Sequence, residues 1–263
     1  MLRFRSVFIT WALFTALALT VQAGDIVFKN SRANATLLEL YSSEGCSSCP
    51  PAEAWVSELK NSPGLFTEIF PVVFHVDYWD GLGWRDKFAK AVYTRRQRNY
   101  AATLGQDSVY TPEFVAGGRE WRAWFDGDRQ PHSNTPTTGA LSLQVRPDGR
   151  QVIGSYIPGS PATGLSSYTL NVALLGTNIR SNVRGGENGG RQLLHDFVVL
   201  DFTSAPLAKD RNFQSGPVNL KPSTDDRPGA LVAWVSSSYG KVVQVAGGFL
   251  PSSPPTLGTA AEN

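Results

Sequence analysis

Cysteine and histidine are scarce in this chain of 263 residues, and their scarcity excludes several kinds of site. The only cysteines are Cys46 and Cys49, so no odd thiol is left over. The three histidines, His75, His132 and His195, do not pair at the spacing of a zinc finger. No Gly-x-Ser-x-Gly motif or identifiable Ser-His-Asp arrangement is present. We therefore predict no metal ligand and no cofactor, and the cysteine pair becomes the main candidate for function.

Long apolar runs are also lacking, except for one near the N-terminus. Arg3 and Arg5 precede an apolar run from Val7 to Val21, which is short for a membrane-spanning helix. Residues 1–23 are therefore predicted to be a signal peptide, cleaved near Ala23. Its removal takes away two arginines and no acid, so 24 basic and 22 acidic residues become 22 and 22. A neutral mature chain has no general attraction to nucleic acid or anionic lipid, so we predict neither as a partner.

The two cysteines lie two residues apart in the segment Glu-Gly-Cys-Ser-Ser-Cys-Pro-Pro. A strand-like run (36–41) precedes them, and a helix-like run (52–60) follows. A helix N-terminus stabilises a thiolate, so a pair placed there can cycle between dithiol and disulfide. We predict that Cys46 is the nucleophile and that Cys49 resolves the mixed disulfide. The alternative is a structural bridge, although closing so short a loop removes only about 2 kcal/mol of chain entropy.

The first half of the chain alternates strand-like and helix-like segments. After the cysteine helix, residues 71–77 form a short apolar run that is typical of a buried strand. Residues 86–104 read as an amphipathic helix that stops at Gly105, and residues 111–118 read as another strand. This alternation predicts a parallel crossover and an α/β layer fold over residues 25–126.

The second half has the two-residue period of β-strands. A polar stretch rich in turn-forming residues, 127–139, is predicted to be a linker. Beyond it, Leu-Ser-Leu-Gln-Val-Arg at 141–146 alternates apolar and polar residues, and further short strands follow with no helical segment between them. We therefore predict an all-β, sandwich-like domain over residues 140–250 and a disordered tail over residues 251–263.

A proline opens the third strand of the first half, at Thr111-Pro112, and an X-Pro bond readily adopts the cis form. The order of strand, C-x-x-C, helix, strand, helix, Thr-Pro and strand resembles the thioredoxin fold. That resemblance implies that Pro112 is cis and that the Thr111 backbone pairs with an incoming peptide; the alternative is an ordinary trans turn proline. The predicted fold class is an α/β thioredoxin-like N-terminal half followed by an all-β, sandwich-like C-terminal half.

A closer resemblance rests on four segments of the chain. In these segments the chain resembles a secreted, thioredoxin-like bacterial family catalogued as domain of unknown function 1223. It covers nearly the whole mature chain and implies export, to the bacterial periplasm, but it supplies no activity. The segments are Leu-Tyr-Ser-Ser-Glu-Gly-Cys-Ser-Ser-Cys-Pro-Pro-Ala-Glu (40–53), Phe-His-Val-Asp-Tyr-Trp-Asp (74–80), Tyr-Thr-Pro-Glu-Phe (110–114) and Arg-Gly-Gly-Glu-Asn-Gly-Gly (184–190).

Three polar residues are candidates for a proton relay: Glu39, His75 and Asp77. Thioredoxins carry a buried acid six residues before the first cysteine, but here that position is Leu40. Glu39 lies one residue earlier and faces the other side of the strand unless a bulge intervenes. His75 and Asp77 follow one another on one face near the dithiol, where either can move a proton. The alternative for this pair is loop anchoring through hydrogen bonds.

These observations favour thiol–disulfide exchange on protein or small-thiol substrates outside the cytoplasm. One alternative is a non-catalytic binding or assembly protein in which the disulfide is structural. Another is a Cu(I)-binding metallochaperone that uses Cys46 and Cys49, with His75 as a candidate third ligand, because thiolates favour Cu(I). The direction of the redox chemistry and the oligomeric state are left open by the sequence.

Overall fold

The structure, a computed structural model, describes residues 24–131, 137–159, 167–222, 224, 226–237 and 241–251. The predicted signal peptide (1–23), His132 and all but the first residue of the predicted tail (251–263) lie outside these ranges.

Extended segments dominate the described residues, of which strands hold 42% and helices, with the short 3-10 helices included, hold 17%. The two α-helices in the described ranges are α1 (Pro50–Glu58) and α2 (Ala91–Leu104). The strands are β1 (Ile26–Asn30), β2 (Thr36–Ser42), β3 (Ile69–His75), β4 (Glu113–Ala116), β5 (Arg119–Glu120), β6 (Ala140–Val145), β7 (Gln151–Ile157), β8 (Ser167–Gly176), β9 (Ile179–Asn182), β10 (Gln192–His195), β11 (Val198–Ala208), β12 (Val218–Asn219), β13 (Pro228–Ser237) and β14 (Val242–Phe249).

Local sequence explains where both helices start or stop. Helix α1 begins at Pro50, because a proline in the first turn lacks only an N–H that has no partner within the helix. Helix α2 ends at Leu104, because Gly105 takes the left-handed conformation, with φ of 69°, that glycine adopts without steric cost. Neither helix is long and apolar enough to cross a membrane, nor is any other in the described ranges.

One eight-stranded sheet joins the two halves of the chain, in the order β14-β13-β8-β11-β3-β2-β4-β5. Strands β2 and β3 are parallel, as the strand–helix alternation predicts, and β3 also pairs in parallel with β11. The other pairs in this sheet are antiparallel. The predicted fold class is therefore wrong: there is no separate α/β thioredoxin-like half, and the chain is mostly β with one mixed sheet running through it.

Because β3 is buried, the edge that β2 does not cover needs another strand as a hydrogen-bonding partner. That strand comes from far along the chain. From Phe70 to His75 the strand is buried, so its backbone groups cannot turn to water for hydrogen bonds. Strand β2 covers one edge over its whole length. Strand β11 covers the other edge, where Val198 is in register with Val73 and the Val73 N–H donates to the Phe197 carbonyl.

Two apolar cores pack against the large sheet, and at β13 they lie on its opposite faces. Along β13, Val232 and Trp234 join the core beneath the helices, whereas Leu231 and Val235 join the second core. The second core fills the space between the large sheet and a four-stranded antiparallel sheet of order β1-β6-β7-β12. A β9–β10 hairpin forms a separate two-stranded sheet that packs on α1.

Candidate functional site

Cys46 and Cys49 form a disulfide at the junction of β2 and α1. The backbone turns tightly between them, with the Cys46 N–H donating to Ser43 and the Cys49 N–H donating to the Cys46 carbonyl. Cys49 is the N-cap residue of α1, so its sulfur lies at the positive end of the helix dipole. Both cysteine side chains are fully buried. The disulfide thus lies where a thiolate is stabilised, but below the protein surface.

Thr111 and Pro112 lie next to this disulfide. The Cys46 Sγ is 3.8 Å from the Thr111 carbonyl oxygen and 3.3 Å from the Ser48 hydroxyl. The Trp79 indole N–H donates to the Thr111 hydroxyl at 2.9 Å and holds this loop in position. The Thr111–Pro112 peptide bond is cis. Four residues that the sequence nominates are therefore neighbours in the structure.

The glycine-rich segment 184–190 joins β9 to β10 and lies over Cys46. The Asn188 side-chain amide donates to the carbonyls of Glu44 and Cys46, both at 2.9 Å. The Ser47 N–H donates to the Glu187 carboxylate at 2.9 Å. We call residues 184–190 the covering loop. Asn188 is buried and Glu187 is exposed, so the loop shields the disulfide from solvent with one side chain inserted beneath it.

The covering loop comes close to a second loop, and this approach requires glycine. A Cβ atom added at Gly185 would lie 2.3 Å from the Gly83 carbonyl oxygen, which is an impossible contact. Every residue type other than glycine carries a Cβ atom, so any substitution of Gly185 would create this contact. Gly185 therefore permits close backbone packing between the covering loop and the loop that contains Gly83.

The three candidate relay residues occupy different environments. Glu39 is buried on the α2 side of the sheet, where the Arg96 guanidinium donates to its carboxylate at 2.6 Å. Asp77 accepts a hydrogen bond from the Thr94 hydroxyl of α2, and the Asp77 N–H donates to the same hydroxyl. His75 is buried on the other side of the sheet, at the end of β3. Of these three residues, only His75 belongs to the buried polar cluster that the next paragraph describes.

A cluster of buried acids and histidines packs between α1, β3 and β10. We call it the acid–histidine cluster: Glu44, Glu53, His75, Asp86 and His195. His195 lies 2.7 Å from Glu53 through Nδ1 and 3.1 Å from Glu44 through Nε2. His75 lies 2.6 Å from Asp86 through Nδ1, and its Nε2 is 3.5 Å from Glu53. All five side chains are at least nine-tenths buried.

Opposite charges shift the pKa values within this cluster. Burial by itself lowers the pKa of His195, but the charge of Glu53 and the hydrogen bonds that the imidazolium donates to both glutamates raise it to about 10. Burial also lowers the pKa of His75, and the neighbouring Asp86 and Glu53 outweigh it, so that pKa is raised. Burial raises the pKa values of Glu53 and Asp86, but the adjacent histidines bring both below their ordinary values.

Sequence reasoning finds only part of this cluster. His75 is predicted to lie near the disulfide, but Glu53 and Asp86 are not recognised as candidates at all. Glu53 and His195 are 142 residues apart, so no spacing rule connects them. The one available signal is a buried acid in α1: Glu53 follows Cys49 by four residues, which places both on one side of the first helical turn.

Glu113, directly after Pro112, gives the protein a pH-dependent stability. Its carboxylate accepts from the Gln97 amide at 2.6 Å, and its second oxygen has no hydrogen-bond partner in the described part of the chain. Burial, together with the charges of Glu120 and Glu39, raises the pKa of Glu113 to about 7, although the Gln97 hydrogen bond lowers it. In the unfolded chain this carboxyl ionises near its ordinary pKa of about 4.5, so rising pH favours the unfolded state.

We therefore expect Glu113→Gln to stabilise the protein at pH 8 and to leave it nearly unchanged at pH 4. The wild type loses stability from this group as pH rises from about 4.5 to about 7, by up to about 3 kcal/mol. Urea unfolding of both proteins at several pH values measures the difference. If the free energies of unfolding of wild type and variant changed with pH in the same way, the raised pKa of Glu113 would be contradicted.

A groove of about 870 Å³ opens elsewhere, between α2 and the large sheet. It does not contain the disulfide or the acid–histidine cluster. Its lining mixes apolar side chains, such as Val92, Leu104 and Phe202, with basic ones, such as Arg95, Arg119 and Lys241, and it includes no cysteine or histidine. We therefore take the disulfide and its surroundings as the candidate site.

The fold and the site define a mostly β protein with a disulfide between a strand and a helix N-terminus. The chain belongs to the family described as "Protein of unknown function (DUF1223)", whose sequence profile matches residues 37–236. This confirms the family resemblance drawn from the four sequence segments. No curated protein matches the chain.

Two solved structures share the fold. A crystal structure of protein AGR_C_4864 from Agrobacterium tumefaciens is 20% identical, with a TM-score of 0.51 over 84% of this chain and 96% of that one. HBP35 of Porphyromonas gingivalis is 14% identical, with a TM-score of 0.54 over 89% of this chain and 80% of that one. At these identities the likeness concerns the fold alone.

Proposed function

We propose that this protein exchanges thiols and disulfides with protein or small-thiol substrates through Cys46 and Cys49. The observation that carries the proposal is the setting of Cys46. Its sulfur lies beside the Thr111 carbonyl and the Ser48 hydroxyl, and Ser47 and Ser48 above it are exposed. The covering loop and this short exposed turn lie over Cys46, and the Thr111 backbone lies beside its sulfur. Displacement of the loop would therefore open it to another thiol.

The size of the disulfide ring also favours exchange over a purely structural bridge. A ring of this length contributes about 2 kcal/mol by restricting the unfolded chain. The turn between the two cysteines is already held by backbone hydrogen bonds from Cys46 to Ser43 and from Cys49 to Cys46. The bridge therefore adds little to a turn that the backbone forms without it.

The proposed reaction moves two electrons and conserves every sulfur. A substrate thiolate attacks the Cys46 sulfur, the Cys46–Cys49 bond breaks, and Cys49 leaves as a thiolate at the helix N-terminus. A second substrate thiolate then attacks the mixed disulfide, which releases the oxidised substrate and leaves both cysteines reduced. The same steps in the reverse order reduce a substrate disulfide. The Ser48 hydroxyl can donate a hydrogen bond to the Cys46 thiolate in either direction.

We also propose that this exchange takes place in the bacterial periplasm. The support comes from the charged start and apolar run of residues 1–23, which have the pattern of a secretory signal. An oxidising compartment would form the Cys46–Cys49 disulfide and keep it available as an oxidant.

Cys49→Ala is expected to trap substrates as mixed disulfides on Cys46. Without the resolving thiol, the covalent intermediate persists, and adducts should appear on non-reducing gels of cells that express the variant. Cys46→Ala is the matched control and should trap far less, because the remaining Cys49 is the resolving thiol and does not attack the substrate in the proposed reaction. Equal trapping by both variants, or none by either, would argue against the proposed roles.

A structural disulfide in a binding or assembly protein is the second candidate, because both cysteine side chains are fully buried. The reduction potential separates the two functions. A value below about −300 mV is typical of structural disulfides, whereas oxidoreductases lie at about −120 to −270 mV.

A further inference from the structure

One buried nitrogen atom in the acid–histidine cluster lacks a partner. Nε2 of His75 makes no hydrogen bond within the described residues, although the His75 side chain is fully buried. It points toward Glu53, with 3.5 Å between Nε2 and the Glu53 carboxylate. A buried polar atom left without a hydrogen bond costs about 1–3 kcal/mol, so such an atom calls for an explanation.

We propose that Glu53, His75 and His195 bind a divalent transition-metal ion of the zinc type. One donor atom from each residue lies within 4.8 Å of the others. A tetrahedral zinc ion with bonds of 2.0–2.2 Å holds its ligand atoms about 3.3 Å apart. The His75–Glu53 separation of 3.5 Å is close to this value, and the His195–Glu53 pair at 2.7 Å needs to open by roughly half an ångström.

The other nitrogen of each imidazole is already bound to a carboxylate. His75 uses Nδ1 for Asp86 at 2.6 Å, and His195 uses Nε2 for Glu44 at 3.1 Å. Metal-binding histidines in proteins almost always donate their second ring nitrogen in this way, which fixes the ring and strengthens the ligand. Both rings therefore direct their remaining nitrogen toward Glu53, which can contribute one or both carboxylate oxygens.

The negative charges of the cluster also favour a bound divalent cation. Glu44, Glu53 and Asp86 are three carboxylates, and the two imidazoles are neutral when they act as metal ligands. Burying three uncompensated negative charges is very costly. A divalent cation held by the two imidazoles and Glu53 would reduce the sum to one negative charge.

The donor set selects the class of ion. Two imidazoles and one carboxylate suit zinc and other first-row divalent ions such as Fe(II). Calcium and magnesium prefer sites made of oxygen ligands and are not expected here. The site uses neither cysteine, so it is independent of the proposed thiol–disulfide exchange. An ion bound there would join α1 and β3 to β10, and so would fasten the hairpin that carries the covering loop.

The test is metal binding by the full mature protein after treatment with a chelator. We expect one Zn²⁺ or Co²⁺ per chain, added either to the folded protein or during refolding, and visible absorption from low-coordinate Co²⁺. Glu53→Gln should weaken binding by more than about 100-fold. Glu58→Gln, at an exposed position of the same helix, should bind as the wild type does.

Two further measurements keep the outcome decisive. A Cys46→Ser/Cys49→Ser variant should still bind one ion, which separates this site from the disulfide. X-ray absorption of the zinc-loaded wild type should show two imidazoles and oxygen ligands without sulfur, and it needs no substitution that threatens folding. Binding well below one ion per chain, sulfur ligation, or loss of binding in the double cysteine variant would overturn the proposal.

Discussion

Arg96→Met is expected to lower the free energy of unfolding by about 3–5 kcal/mol, the typical cost of leaving one member of a buried ion pair alone. The Arg96 guanidinium donates to the Glu39 carboxylate at 2.6 Å, and Glu39 is fully buried. Burial by itself lowers the pKa of Arg96, but the charge of Glu39 outweighs it, so the pKa is raised. Without the arginine, Glu39 keeps, among the described residues, the hydrogen bonds donated by the Tyr41 and Tyr100 hydroxyls.

Aromatic rings increase the expected loss, because Arg96 also stacks on both halves of the chain. Its guanidinium carbon lies 5.6 Å from the ring centre of Phe74 and 5.2 Å from that of Tyr100. It lies 5.5 Å from the ring centre of Phe202 and 4.9 Å from that of Trp234. A methionine replaces the aliphatic stem but neither the charge nor the planar group.

Chemical unfolding of Arg96→Met and of a neighbouring variant measures this contribution. Arg95→Met is the matched control, because Arg95 is exposed at the preceding position of α2. This substitution should change the free energy of unfolding by less than about 0.5 kcal/mol. Combining Arg96→Met with Glu39→Met should cost less than the sum of the two single changes, since no unpaired charge then remains. Additive losses, or similar stability for both arginine variants, would be inconsistent with a buried ion pair.

Asn188→Ala is expected to speed reduction of the Cys46–Cys49 disulfide by about 10- to 30-fold. The Asn188 side chain makes two hydrogen bonds that hold the covering loop, to the carbonyls of Glu44 and Cys46. At about 1 kcal/mol each, their loss favours local opening of the loop by about 2 kcal/mol. Because the cysteine side chains are fully buried when the loop is in place, the rate of attack should follow the open fraction.

The measurement is the rate at which dithiothreitol reduces the folded protein, followed by alkylation of the new thiols. Asn182→Ala is the matched control, because Asn182 lies at an exposed end of β9 in the same hairpin. Its reduction rate should equal that of the wild type. If Asn188→Ala also reacts at the wild-type rate, then the covering loop does not limit access to the disulfide.

Local signals of the sequence predicted the neighbourhood of the disulfide well. The Cys-x-x-Cys spacing permits a tight turn, the helix-like run 52–60 contains most of α1, and Gly105 marks the end of α2. The strand–helix alternation predicted that β2 and β3 are parallel. These features depend on residues close together in the chain, where dihedral preferences and helix-end chemistry decide the outcome.

The wrong fold class has a physical origin in long-range strand pairing. The alternation in the first half is real, but it does not reveal that the free edge of β3 pairs with β11. Edge pairing uses backbone groups that every residue except proline carries, so its partner has no side-chain signature. Two segments that each read as complete thus belong to a single sheet.

Residues close together in the chain specify the family, the cysteine pair, its helix and the short-range turns. Long-range folding places the covering loop over Cys46 and brings His195 to Glu53, although 142 residues separate that pair. Such contacts arise when distant strands join one sheet, and no local preference encodes which edges will meet. The burial of the disulfide and the acid–histidine cluster are consequences of that assembly.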